Sequence, residues 1–180
     1  MIKIYIDTNI ISGFVRPQFS SEEMNDFDKI LDFNHNGTIK FFTSKKTGEE
    51  IDKIKDVPGR DHHLHNLFYK FTSATREFIT AYSLGTFNSA TYNSVPYGGG
   101  GREDPLYISI KSVIPKPQNE EKIERWQSDI VHLFQFKKND LDIFLTRDGR
   151  TILSYAERLD ELGIIVKSVS QCLSYINDNN

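Results

Sequence analysis

A chain of 180 residues, 38% hydrophobic and 26% charged with a formal net charge of -3, can bury one domain-sized core. Its composition excludes a disordered chain, and its slight acidity does not by itself advertise a nucleic-acid partner. No apolar run approaches the roughly 20 residues needed to cross a bilayer. The single cysteine, Cys172, excludes an intrachain disulfide or a thiolate zinc site, and its setting among Val169, Leu173 and Ile176 marks a small core residue.

The chain enters its first strand without a basic segment, an apolar signal region or a small-residue cleavage site, so no signal peptide and a cytoplasmic location are expected. Residues 2–6 read as that strand, and the stretch IYIDTNII sets Asp7 at its end, where a carboxylate is costly to bury without a partner. After a short connection, Ser20 and Glu23 stand at capping-box spacing and open a helix with Met24, Phe27, Ile30 and Leu31 on one face, stopped by Asn36-Gly37. TIKFFTS reads as a second strand. Thr47 or Gly48 then begins a helix containing Glu49, Glu50, Ile51 and Ile54, ended by Pro58-Gly59.

From Asp61 to about Tyr82, Leu64, Leu67, Phe68, Phe71, Ala74, Phe78 and Tyr82 recur at helical spacing and predict a long amphipathic helix. Residues 84–120 read as a polar, Gly/Pro-rich loop with one candidate strand, LYISIKSVI. Residues 119–138 return to helical period through Ile123, Trp126, Ile130, Leu133 and Phe134. DIFLT, TILSYAERLDELG, IIVK and SVSQCLSYI then read as strand, helix, strand and helix. Strands alternating with helices over residues 1–180 predict a single α/β domain around a mainly parallel sheet.

In such sheets ligands gather beyond the C-terminal ends of the strands. Asp7 and Asp148 both stand there, each just past a strand. Glu50, in the first turn after the second strand, projects from the same edge, while Asp129 lies in the helix before DIFLT at a level the sequence does not define. If the four converge they form a hard, oxygen-rich pocket that calls for Mg²⁺ or Mn²⁺. Taken singly, each has a plainer role: Asp7 in an Asx turn, Glu50 favouring a helix dipole, Asp129 as an exposed helical charge, and Asp148 in a turn before Gly149.

IYIDTNII, SKKTGEEI, DIVHLF and DIFLTRD resemble, in order and spacing, the signature of PIN-domain ribonucleases, the family that includes VapC-like toxins. The resemblance implies a three-layer α/β/α sandwich and places Asp7, Glu50, Asp129 and Asp148 as metal-binding, catalytic acids, with Glu49 the competing choice for the second. It also implies that Thr8, Asn9 and Thr146 support the site by hydrogen bonding. The activity expected is hydrolysis of RNA phosphodiester bonds with Mg²⁺ or Mn²⁺, leaving 5′-phosphate and 3′-hydroxyl ends. Expected partners are RNA, an antitoxin protein if the chain is a toxin, and a second copy in a homodimer; no membrane is expected.

Lys45, Lys46, Arg147 and Arg150 follow strands on the acidic edge and are candidate contacts to the RNA backbone, with Arg102 a candidate only if its loop folds over. His62, His63 and His65 read as a solvated helix start, and GGGGR lacks the Gly-Lys-Ser/Thr of a phosphate loop. Tyr92, Tyr97 and Tyr107 could stack on bases or simply pack. A haloacid-dehalogenase-type phosphatase would need a second Asp where Asn9 stands. The rival that remains is a catalytically inactive PIN-like module that binds RNA or protein.

Overall fold

Strand β1 (Ile2–Ile6) is the centre of the molecule because its alternating side chains are wanted on two faces at once. Ile4 and Ile6 enter one hydrophobic core and Tyr5 the other, and all three are fully buried. The computed structural model describes residues 1–53, 71, 78–81 and 104–179. Within them β1 pairs in parallel with β2 (Ile39–Ser44) on one side and with β4 (Ile143–Leu145) on the other. Strand β3 (Phe78–Ala81) adds to β2 and β5 (Val166–Lys167) to β4, giving an all-parallel sheet of order β3-β2-β1-β4-β5. The order reverses direction between β1 and β4, and the crevice beyond their C-terminal ends is where open α/β sheets bind ligands.

Helices cover both faces. Against Ile4, Ile6, Ile143 and Leu145 pack side chains of α1 (Thr8–Val15), α2 (Ser21–His35) and α7 (Val169–Asp178), with Phe27, Ile30 and Cys172 fully buried among them. Burial pushes the Cys172 thiol up to about 12, so it is inert packing. Against Tyr5 and Phe144 pack α4 (Pro105–Val113), α5 (Ile123–Lys138) and α6 (Ala156–Asp160) through Ile110, Leu133 and Leu159. Each such aliphatic or aromatic side chain stabilises the fold by about 1.5–3 kcal/mol. Helix α3 (Lys45–Lys53) starts directly at the end of β2.

Several elements depart from what local pattern predicts. The connection after β1 is itself helical: Asp7 holds its N-cap, and Ile10, Ile11 and Phe14 fill the core at helical spacing. LYISIKSVI is helix α4 and not a strand, since Asp104 accepts from the Leu106 N–H at 2.9 Å and Pro105 opens the first turn. The loop expected over 84–120 therefore ends by Asp104; residues 84–103, with Arg102, Tyr92 and Tyr97, lie outside the described residues. Tyr107 is buried edge-on against Phe134, so it packs and does not present a face for stacking.

The helix expected over 61–82 cannot reach its end, because Phe78–Ala81 is a strand that satisfies the outer edge of β2. Residues 61–70 and 72–77, including His62, His63 and His65, lie outside the described residues. TILSYAERLDELG is shorter in helix than its period suggests, a 3₁₀ turn (Leu153–Tyr155) followed by α6. Its first residues are drawn back towards Asp148, whose carbonyl accepts from the Leu153 N–H at 2.9 Å. Among the described residues no helix is long and apolar enough to cross a membrane.

Candidate functional site

Asp7 closes β1 through its backbone, donating its N–H to the Leu145 carbonyl at 3.1 Å, and the residue is buried at 7% exposure. Two donors hold Oδ2: the Thr146 hydroxyl at 2.6 Å and the Asn9 amide at 2.6 Å. Asn9 also donates to Thr146 Oγ1 at 2.9 Å and accepts from the Arg147 N–H at 2.9 Å. The DTN that ends the apolar run thus ties the end of β1 to the end of β4. Burial pushes the Asp7 carboxyl up, against the opposing pull of His132 and Thr146.

Asp148 sits past β4 and serves the turn as well as the cleft. Its Oδ1 accepts from the Arg150 N–H at 3.0 Å and the Thr151 N–H at 2.9 Å, and its own N–H donates to Thr146 Oγ1 at 3.1 Å. Oδ2 meets Arg125 of α5, with Nη2 at 3.0 Å. Asp129, one turn further along α5, is pushed up to about 8, first by burial and then by the carboxylates of Asp7 and Asp148. Asp129 of α5 thus lies within the electrostatic reach of both Asp7, past β1, and Asp148, past β4, at the switch point of the sheet.

Glu50 reaches the same edge from α3 but is engaged differently. The Thr8 and Ser128 hydroxyls donate to its two oxygens, and His132 Nε2 lies 3.1 Å from Oε2, at ion-pair distance though outside hydrogen-bond alignment. Burial alone would push Glu50 up; His132, Ser128 and Thr8 overturn this and hold it down to about 2. On the far side of the ring, Nδ1 lies 2.6 Å from the Tyr5 hydroxyl, which donates to Ser44 Oγ at 2.7 Å. With its hydrogen committed to Ser44, the Tyr5 oxygen accepts from His132 Nδ1, while Nε2 faces the Glu50 carboxylate. Burial disfavours a charge on the ring, but Glu50, Asp7 and Asp129 together raise the His132 pKa.

Tyr5→Phe removes the partner of Nδ1 and is expected to lower stability by about 2 kcal/mol, since a buried ring nitrogen is then left unsatisfied. Urea unfolding measures it; an unchanged midpoint and slope would remove Tyr5 from the network.

Among the described residues no three His, Cys, Asp or Glu side chains are already drawn together as a metal-holding group. The reason lies in the partners just described: Asp7 is turned to Thr146 and Asn9, Asp148 to Arg125, and Glu50 to His132.

The basic candidates separate. Arg147 is committed to the α2 side, where its guanidinium donates to Glu23 at 3.1 and 3.2 Å and to the Gln18 carbonyl at 2.9 Å. It also lies over the Phe19 ring, and a Cβ on Gly13 would come within 2.7 Å of its Nη1. Arg150 is exposed beside Asp148 and Lys46 half-buried at the start of α3. The side chains of Lys45 and Glu49 lie outside the described residues.

Local pattern singles out neither Arg125 nor the Tyr5, Ser44, Ser128 and His132 network. A faint signal exists for α5: Arg125, Ser128, Asp129 and His132 recur at three- and four-residue spacing along a helix whose other buried positions are mostly apolar.

Fold and site together define an open parallel α/β protein with acidic residues gathered at its topological switch point. No protein-family model matches the chain, and no curated protein is significantly similar to it.

Proposed function

We propose that the chain is a PIN-like endoribonuclease that hydrolyses RNA with Mg²⁺ or Mn²⁺. The observation that carries this reading is that Asp7 and Asp148, each past the end of a central strand, both act on the carboxyl of Asp129, adding to the burial that pushes it up to about 8. An all-carboxylate donor set in mutual repulsion suits a hard dication, whose charge would turn that repulsion into attraction. Such an ion, when bound, supplies a lowered pKa for the attacking water and stabilises charge developing on the phosphate.

The chain's own residues do the rest. Asp7, Asp129 and Asp148 would hold the ion, which would have to share Asp7 with the Thr146 and Asn9 donors that fix its Oδ2. Glu50 enters as the partner of His132, fixing α3 against α5, because both its oxygens are already occupied. Lys46 and Arg150 stand at this edge to meet the substrate backbone. Likeness to PIN nucleases suggests 5′-phosphate and 3′-hydroxyl products. A toxin role, with an antitoxin partner and a homodimer, is the narrower form of the proposal.

A second reading, an inactive PIN-like module binding RNA or protein, is favoured by the engagement of Glu50 with His132 and of Asp148 with Arg125. Cleavage of a labelled mixed-sequence RNA separates the two. The purified chain is expected to cut in Mn²⁺ or Mg²⁺, to fall to background in EDTA, and to recover when metal is returned in excess. Cutting that persists in EDTA would sink the metal-dependent mechanism; a folded chain that cuts none of several RNAs would leave the binding module.

A further inference from the structure

Resting on that reading, we propose that Arg125 is the phosphate-gripping side chain of the site, parked on Asp148 until a divalent cation claims that carboxylate. Asp148 cannot turn away from the cleft, because Oδ1 is held by the N–H groups of Arg150 and Thr151 at 3.0 and 2.9 Å. Oδ2 is the oxygen left to face an ion, and Arg125 Nη2 occupies it at 3.0 Å. A guanidinium and a dication are rivals for one oxygen.

The two partners differ sharply in setting: the Arg125 side chain is 70% exposed and that of Asp148 6%. A guanidinium left largely in solvent is held weakly and leaves no hole when it moves. Arg125 stands one helical turn before Asp129, so a displaced guanidinium stays beside the same acids. Its planar fork of N–H donors matches phosphate oxygens in pairs. Arg147 cannot take this part, being bound to Glu23 and Gln18. Cation arrival and phosphate capture are therefore coupled, each freeing the group that the other needs.

Calorimetric titration of Mn²⁺ into wild type, Arg125→Ala and Asp148→Asn, followed by uridine 5′-monophosphate as an uncleavable phosphate probe, tests this. Arg125→Ala is expected to bind Mn²⁺ about threefold or more tightly, at unchanged stoichiometry, because a competing cation is gone. In wild type Mn²⁺ should strengthen nucleotide binding by roughly tenfold, and Arg125→Ala should lose most of that gain. If wild type binds Mn²⁺, Asp148→Asn weakens it, and Arg125→Ala leaves it unchanged or weaker, Arg125 is not the rival and only this proposal falls. If wild type and Asp148→Asn bind Mn²⁺ equally poorly, the metal-dependent reading falls and takes this one with it.

Discussion

In an Asp7→Asn variant, metal-dependent RNA cleavage is expected to drop by roughly 10³-fold while the unfolding midpoint stays at or above that of wild type. The two effects part because Asp7 costs the fold what it gives the site. Burial raises its pKa in the folded state above the ordinary 3.8, so the ionised carboxylate is a net destabilising group once the pH exceeds that value. A neutral amide removes the cost at pH 7, and its oxygen can still accept from the Thr146 hydroxyl. A cation held by Asp7 loses a charged ligand in the same exchange. Single-turnover cleavage and thermal melts on the same preparations check both halves. Retention of more than a tenth of the activity would show that Asp7 does not hold the reactive ion, and a large loss of stability would make the activity loss uninformative.

His132→Ala is expected to destabilise the protein by about 3 kcal/mol between pH 4.5 and 6.5, the usual penalty for leaving one member of a buried ion pair alone. His132 is 2% exposed and Glu50 25%, so water recovers only part of the Glu50 charge when the ring is gone. The pH dependence gives the signature. Glu50 is held down to about 2 against an ordinary 4.5, so its share of the stability is present above 4.5 and is lost as pH falls towards 2. His132 is raised above 6.5, so its share is present below 6.5 and is lost as pH rises through the raised value. Asp7 and Asp129 also face the ring and add to its raised pKa. Melts across pH should therefore show wild type and variant diverging most between 4.5 and 6.5 and converging outside it. A gap independent of pH would mean that His132 matters as packing and not as a charge.

Much of the framework is legible from local period. The strands β1, β2 and β4 are runs of apolar residues bounded by turn or polar signals, and α2 is announced by a capping box that forms as spaced, Ser20 with Glu23. Where two periods fit equally, the cap decides: residues 106–114 suit a strand until Asp104 and Pro105 are weighed as a helix start. Helix α1 is short and interrupted by Gly13, so its pattern is too brief to stand out from a connection. Strand β3 is masked by the helical spacing of Phe71 and Phe78, and pairing with β2 decides it.

By itself the sequence determined the α/β class and put Asp7 and Asp148 past strand ends, because periodicity and chain direction are local properties. The tertiary structure alone decided that β1 and β4 are neighbours, that Asp129 comes under the charges of Asp7 and Asp148, and that Glu50 turns to His132 while Asp148 turns to Arg125. Those outcomes depend on which distant side chains share a desolvated space, where a charge must find its partner, and no local period encodes that choice.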